Sequence, residues 1–256
     1  MKHITLISDW KLKDPYVAMF KGRLISLVPD LRIWDITHSI ELYNIQQTAF
    51  VLQAAYSSFP KGTLHLILTN TNHSGDSSPI MVDYDGHFFL GEDNGIFSLL
   101  LDSAIPWCAW QSKGDIKKNL TEKLAEMAGW LFSGQMESEC IPYADLKRKL
   151  KYEPDYSPLE HKLKGRIVYI DSSCNAVTDI PVSLFSEIRG HRPFSARLGS
   201  GKHLHITRFH PFYDEKEDDV YLAGNRLGYL EITMYHGKIA ILADIQIGDT
   251  LEITFQ

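Results

Sequence analysis

Short apolar runs alternate with helical patterns through the first part of the chain. Residues 4–8, 31–36 and 64–68 read as strands, and the third is nearly continuous in apolar residues, as strands covered on both faces are. Between them, residues 16–27 and 45–56 carry apolar side chains three and four positions apart, which predicts helices. Strands separated by helices at this spacing form a largely parallel sheet with right-handed crossovers.

After one more predicted helix, the sequence changes from alternating strands and helices to a series of short β-rich segments. Residues 117–132 predict an amphipathic helix, and the charged segment that follows, YEPDYSPLEHKLK, contains two prolines and no clean period, as a linker does. Short β-rich segments then succeed one another, separated by glycine-containing turns, at residues 166–170, 203–209, 229–235 and 250–255. That pattern is typical of a small antiparallel barrel or sandwich.

The sequence therefore predicts two domains joined by a short linker. Residues 1–150 are expected to form an α/β, Rossmann-like three-layer domain with a mainly parallel sheet. Residues 151–163 are expected to be the linker, and residues 164–256 a smaller C-terminal antiparallel β-barrel.

Composition limits the partners. The 256 residues carry a formal charge of -6, with 44% hydrophobic and 23% charged residues. This charge predicts no nucleic-acid partner, since nucleic-acid binders usually carry a basic excess. Runs of about eighteen apolar residues are absent, which predicts no membrane partner. The three cysteines form no CxxC pair, which favours a cytoplasmic location. No metal is predicted, because no second cluster completes a tetrahedral set with His203, His205 and His210.

One polar stretch, LTNTNHSGDSSP at residues 68–79, follows the third predicted strand. Ligands of parallel sheets bind at the carboxyl ends of the strands, so this stretch and Asp9, which follows the first strand, are expected to line a site. Asp9 can accept hydrogen bonds from the hydroxyls of a ribose, or it can cap a helix, and its position in the sequence leaves both roles open. Asp14, just before Pro15 and a predicted helix, reads more readily as a cap. No glycine-rich phosphate loop occurs.

Several stretches together resemble one family. In chain order they are similar to the S-adenosylmethionine (SAM) hydroxide adenosyltransferases, relatives of the fluorinase and chlorinase. The resemblance spans nearly the whole chain and implies an α/β domain joined to a small β-barrel. The stretches are SDWKLKDPYVAMFKG (8–22), DITHSI (35–40), FPKGTLHL (59–66), EDNGIFSLLL (92–101), IDSSCNAVTDI (170–180), GYLEITMYHG (228–237) and IGDTLEI (247–253).

The resemblance implies that SAM or adenosine is the small-molecule partner, with no additional cofactor, and that the protein is a homotrimer. Members of the family hold SAM between the N-terminal domain of one subunit and the C-terminal barrel of its neighbour. A nucleophile attacks the ribose C5′ and methionine departs.

Ligand-binding roles follow from the same resemblance. In the N-terminal half, Asp9 is expected to bind the ribose diol, Asp14 the methionine end, and Tyr43 to pack on the nucleoside. These residue types suit the task, because carboxylates are natural partners of a diol and an ammonium.

In the C-terminal half, the resemblance assigns Asp171 to the methionine amine and Asn175 to the adenine edge. A side-chain amide can both donate to and accept from adenine. Backbone groups from Tyr235 through His236 to residue 237 are expected to complete the base pocket.

The catalytic positions of the family are substituted in this chain. In hydrolytic members the polar loop reads like VDPGVGTER, and its Asp and Arg join a His from a later HGRD-like motif to activate water. Laid on this sequence without gaps, the three positions are Asn70, Ser77 and Ser112. An amide cannot act as a carboxylate base, and serine cannot supply the charge of a guanidinium.

Three functions remain open. The chain is an active relative in which His73, Asp76 or Lys113 supplies the missing groups, since His73 can deprotonate a nucleophile at neutral pH and Lys113 can attract an anion. Alternatively, it binds SAM or an adenosine-like nucleoside without turnover, as a sensor or scavenger. In the third possibility, the pocket has lost its function and the trimer has a structural role.

Overall fold

The computed structural model describes residues 2–71, 79–102, 104–113, 118–149, 153–199, 204–211 and 219–256. The chain divides into two compact units, Met1–Leu150 and Lys151–Gln256. Within the described ranges, no helix has both the length and the apolar character needed to cross a membrane.

Strands and helices alternate in the first unit, as the sequence pattern predicts for its first part. A single turn of 3₁₀ helix, Tyr56–Ser58, extends the second helix. In chain order the elements are β1 (Lys2–Ser8), α1 (Tyr16–Leu27), β2 (Leu31–Thr37), α2 (Ile45–Ala55), β3 (Leu64–Leu68), β4 (Pro79–Tyr84), β5 (His87–Glu92), α3 (Ile96–Leu100), β6 (Trp107–Ser112), α4 (Leu120–Ser133), α5 (Met136–Glu139) and β7 (Cys140–Pro142).

These strands form one seven-stranded sheet in the order β2-β1-β3-β5-β4-β6-β7. The pairs β1–β2, β1–β3 and β3–β5 are parallel. The remaining pairs, β4–β5, β4–β6 and β6–β7, are antiparallel. Strands β2, β1, β3, β5 and β6 therefore run in one direction and β4 and β7 in the other. The antiparallel part begins at the β4–β5 hairpin, where Asp85 and Gly86 both have positive φ, as a tight two-residue turn requires.

Helices cover both faces of this sheet. Leu24 of α1 and Leu124 of α4 pack with Leu66 of β3 in one core cluster, and Leu52 of α2 packs with Ile67 in another. Successive side chains of a strand point to opposite faces, so β3 contributes to both clusters. The first unit is thus a three-layer α/β arrangement.

Local sequence sets the ends of α4. The Asn119 side chain accepts a hydrogen bond from the Glu122 N–H, and the Glu122 carboxylate accepts one from the Asn119 N–H, which forms a capping box. Gly134 ends the helix in the left-handed conformation, with φ of 74°. The helix therefore begins at residue 120 rather than at the predicted residue 117.

The second unit is mostly β-structure. The segment predicted as a linker contributes to it, because β8 pairs with the strand that follows and so has ladder hydrogen bonds of its own. The elements are β8 (Asp155–Ser157), β9 (Lys162–Ile170), β10 (Ala176–Pro181), α6 (Val182–Arg189), β11 (Phe194–Leu198), β12 (His205–Ile206), β13 (Phe209–His210), β14 (Tyr221–Gly224), β15 (Tyr229–Thr233), α7 (Ile239–Leu242) and β16 (Thr250–Phe255).

The sheet of the second unit is curled. Its order is β12-β11-β16-β9-β10-β15-β14-β13, with β8 also on β9, and every pairing except β13–β14 is antiparallel. The two end strands β12 and β13 are separated by only residues 207 and 208, which span roughly 10 Å when extended. Both edges must therefore approach each other, and the sheet wraps as a half-barrel around a core that includes Phe185, Ile232 and Ile253.

Candidate functional site

Loops at the carboxyl ends of β1, β2, β3 and β5 surround an open cleft in the first unit. The cleft has a volume of about 1470 Å³. Asp9 and Asn70, which follow β1 and β3, both line it, as does Asn94, which follows β5. The parallel strands thus bring these polar residues together at one edge of the sheet.

Asp9 links three segments of the chain. Its Oδ2 accepts hydrogen bonds from the backbone N–H groups of Tyr43 (3.0 Å) and Asn70 (3.1 Å). The residue is 5% exposed, and its Oδ1 accepts no hydrogen bond from the described part of the chain. Neither donor belongs to a helix, so Asp9 does not act as a helix cap. Its second oxygen is a strong acceptor at the cleft.

Asn94 shapes the same edge and was not singled out from the sequence. Its Nδ2 donates to the carbonyl oxygens of Thr69 (3.2 Å) and Asn70 (3.4 Å), and its Oδ1 accepts from the Ile96 N–H. Asn70 is in the left-handed conformation, with φ of 52°. The signal in the sequence was an Asn-Gly pair a few residues after an apolar run.

Asp14 and Tyr43 also line the cleft. Interpreting Asp14 as a helix cap is wrong, because the N-cap of α1 is Pro15 and the helix has no side-chain cap. The carboxylate of Asp14 is on an exposed residue. Tyr43 is 69% exposed and has a φ of 65°, so its ring is available to a ligand.

The remaining family positions are placed only in part. Ser112 ends β6, which runs in the same direction as β3, so it lies at the same edge of the sheet as Asn70, three strand spacings or about 14 Å away. Lys113 directs its ammonium to the Ser138 carbonyl oxygen. Neither Ser112 nor Lys113 is among the described residues that line the cleft. His73, Asp76 and Ser77 lie outside the described residues.

In the second unit, Asp171 and Asn175 form one hydrogen-bonded turn. Asp171 Oδ1 accepts from the N–H groups of Ser173 (2.9 Å) and Asn175 (2.8 Å), and Oδ2 accepts from Asn175 Nδ2 (3.1 Å). Asn175 is 3% exposed, and its Oδ1 accepts from the Thr233 hydroxyl at 2.8 Å. The amide predicted to read adenine is therefore already held by two side chains.

Tyr235 and His236 lie beside this turn. Their rings contact each other edge to face, with centroids 4.1 Å apart. The Ala240 N–H donates to the Cys174 carbonyl oxygen, which joins α7, the helix that follows their loop, to the turn after β9. The four residues predicted for the second unit thus occupy two neighbouring loops.

Glu231 of β15 is a buried carboxyl group that was not singled out from the sequence. Burial, and to a smaller extent the negative charge of Asp171, raise the pKa of Glu231 to about 7, although a hydrogen bond with Asn225 lowers it. Its strand position gave no signal, because alternation alone does not show which face of a curled sheet is covered.

Models of two domains of one family match the chain. The SAM hydroxide adenosyltransferase N-terminal domain matches residues 4–126, and the C-terminal domain of the same family matches residues 165–252. The chain belongs to the SAM hydroxide adenosyltransferase family.

Relatives in this family carry a common name. The chain is 24% identical over 270 residues to the (R)-S-adenosyl-L-methionine hydrolase of Methanocaldococcus jannaschii, covering 98% of this chain and 95% of the relative. It is 29% identical over 104 residues to the (R)-S-adenosyl-L-methionine hydrolase of Thermus thermophilus, covering 40% of each chain.

Two solved structures show the same fold. A conserved protein from Thermotoga maritima superposes with a TM-score of 0.86 at 22% identity, over 98% of this chain and 99% of that one. A conserved hypothetical protein from Thermus thermophilus superposes with a TM-score of 0.75 at 19% identity, over the full length of both.

Proposed function

We propose that this family member binds SAM at the Asp9 cleft and cleaves it at the ribose C5′, giving adenosine and methionine. The relatives named SAM hydrolase support this reaction. The observation that carries the proposal is the Asp9 carboxylate at the cleft: two backbone N–H groups fix one of its oxygens, and none of the described residues donates to the other.

The proposed reaction is a displacement at carbon. The oxygen of water bonds to C5′ as the bond from C5′ to the sulfonium sulfur breaks, methionine leaves as a neutral thioether, and the proton of the water passes to a base. Asp9 holds the ribose diol, Asp14 the ammonium of the methionine part, and the Tyr43 ring packs on the nucleoside. Each pairing places a carboxylate or an aromatic face against its natural partner.

The second unit supplies the remaining contacts in this proposal. Asp171 binds the methionine amine, Asn175 the adenine edge, and the backbone from Tyr235 to His236 the base. A homotrimer would bring these groups to the cleft of a neighbouring subunit. Light scattering on the purified protein tests this assembly, and a monomer at micromolar concentration would contradict it.

A second function has a specific observation in its favour. Asn70 and Ser112 stand where hydrolytic members carry a carboxylate and an imidazole, and neither can take a proton from water as those groups do. Binding of SAM or adenosine without turnover, as a sensor or scavenger, therefore follows if no other group acts as the base.

One experiment separates these functions. The protein is incubated with SAM, and adenosine, methionine and any bound nucleoside are measured by mass spectrometry. Equal amounts of adenosine and methionine support cleavage, bound SAM or nucleoside without products supports the second function, and neither binding nor products refutes both.

A matched pair of variants links the result to the cleft. In Asp9→Asn the amide oxygen can still accept the two backbone N–H groups, but the charged acceptor for the diol is lost. Its dissociation constant for adenosine should rise by about tenfold or more. Asp145→Asn, an exposed position that does not line the cleft, is the control and should bind as the wild type does.

A further inference from the structure

A chain of close polar contacts between side chains leads to the Asp9 cleft from the surface of α1. The Lys21 ammonium lies 2.6 Å from Asp35 Oδ2, and Asp35 Oδ1 lies 3.1 Å from His38 Nε2. His38 Nδ1 lies 2.7 Å from the hydroxyl oxygen of Ser8, the residue before Asp9. His38 is 4% exposed and Ser8 is fully buried.

The partners of His38 define its proton positions. The Asp35 carboxylate can only accept, so His38 Nε2 carries a proton, and in the neutral ring Nδ1 accepts from the Ser8 hydroxyl. Partial burial opposes the ionisation of Asp35, but hydrogen bonds from Lys21 and His38 outweigh it and hold the pKa of that carboxyl below its usual value. The Ser8 hydrogen bond and the nearby Asp35 carboxylate together favour this tautomer and this orientation of the ring.

This chain acts on the loop that carries Asp9. The Ser8 hydroxyl oxygen also accepts from the Trp10 N–H (3.3 Å), so it bonds on both sides of Asp9. The Lys11 N–H donates to the His38 carbonyl oxygen (2.9 Å), which joins the loops after β1 and β2. Rotation of the Ser8 side chain would break these bonds and free the backbone segment that sets the direction of the Asp9 carboxylate.

Serine, histidine and aspartate also act together as nucleophile, base and orienting group in hydrolases, but the geometry here excludes that role. Ser8 is fully buried, so its hydroxyl cannot reach a substrate carbon. The hydroxyl is also occupied, because it bonds to both His38 and the Trp10 N–H. These side chains therefore hold structure at the edge of the cleft.

We propose that His38 is a positioning residue which, through Ser8, fixes the Asp9 carboxylate for a vicinal diol and so sets selectivity for ribose over deoxygenated sugars. The inference rests on the proposed binding of a nucleoside at Asp9. It adds a determinant of specificity that touches no ligand atom.

Equilibrium binding of two nucleosides tests the proposal without any turnover. The dissociation constants of adenosine and 2′,3′-dideoxyadenosine are measured by calorimetry for the wild type, His38→Leu and Ser8→Ala. The wild type should favour adenosine, since only adenosine offers the diol. Both variants should lose about tenfold in adenosine affinity and keep their affinity for the dideoxy compound, because only the diol contact depends on how Asp9 is aimed.

Controls separate positioning from general damage. His3→Leu removes a histidine from the opposite end of β1 and should keep the wild-type selectivity. His38→Asn retains an oxygen near the position of Nδ1 that can accept from Ser8, so it should recover much of the selectivity lost in His38→Leu. Urea unfolding of each variant confirms that it is folded.

Distinct results overturn the inference and the function on which it rests. If the wild type binds adenosine no better than the dideoxy compound, the diol site itself is refuted, and with it the role of His38. If the wild type is selective but the His38→Leu and Ser8→Ala variants stay selective, the positioning role is refuted. It is also refuted if these variants lose affinity equally for both nucleosides. In both cases the nucleoside site itself is supported.

Discussion

Acid sensitivity should originate in a buried pair of histidines in the first unit. His65 Nδ1 lies 2.7 Å from the Thr5 hydroxyl oxygen, and His65 Nε2 lies 3.2 Å from His87 Nδ1. Both rings are fully buried, and Phe89 stacks on His65 with centroids 4.9 Å apart. Burial lowers the pKa of His65 to about 3, with a smaller effect from His87, and burial also lowers the pKa of His87.

The direction of the pH effect follows from proton counting. Below the ordinary histidine pKa of about 6.5 the unfolded chain binds protons that the native His65 refuses, so stability falls as the pH falls from about 6.5 towards 3. The slope from His65 approaches about 1.4 kcal/mol per pH unit well below pH 6.5, and the loss between pH 6.5 and 5 is about 1.7 kcal/mol. His87 adds to the loss in the same direction.

Tryptophan fluorescence reports this unit selectively, because all 5 tryptophans lie within residues 1–150. Urea unfolding at pH 7, 6 and 5 should show the free energy of unfolding of the wild type falling with pH. In His65→Gln the average slope between pH 7 and 5 should decrease by about 1 kcal/mol per pH unit. The variant should also be less stable at pH 7 by about 1–3 kcal/mol, because buried partners lose their bonds. His3→Gln, at a partly exposed position, should keep the wild-type slope. If His65→Gln also keeps that slope, the buried histidine is not the source of acid sensitivity.

Three further predictions concern the cleft and its surroundings. Restoring the family groups with Asn70→Asp, Ser77→Arg and Ser112→His should raise SAM hydrolysis, measured as adenosine release, by more than about tenfold. The left-handed backbone at position 70 tolerates aspartate. A fall in activity would show that other groups catalyse the reaction. Asn175→Ala should weaken nucleoside binding by about 1–3 kcal/mol in calorimetry, and an unchanged dissociation constant would remove Asn175 from the site. Asn119→Ala should lower the free energy of unfolding by about 1 kcal/mol in urea, because α4 loses its capping box; equal stability would mean that the helix end is held by packing alone.

Local periodicity determined the first elements closely. The observed bounds of α1 and β3 are those that the sequence predicts, because helical and buried-strand patterns are properties of neighbouring residues. The meeting of Asp9 and Asn70 also followed from sequence, since parallel strands place their carboxyl ends at one edge. Strand direction did not follow: apolar runs such as β4 and β6 are similar in either direction, and only the pairing showed where the sheet becomes antiparallel.

Tertiary structure alone decided the polar interior. His65 and His87 are 22 positions apart, and nothing in either neighbourhood distinguishes a buried imidazole from an exposed one. Ser8 ends β1 and His38 directly follows β2, 30 positions away, and their bond exists because the two strands pair in one register. Composition and spacing record what each segment prefers, whereas hydrogen bonds between distant side chains depend on which segments the packed core brings within 3 Å or so of each other.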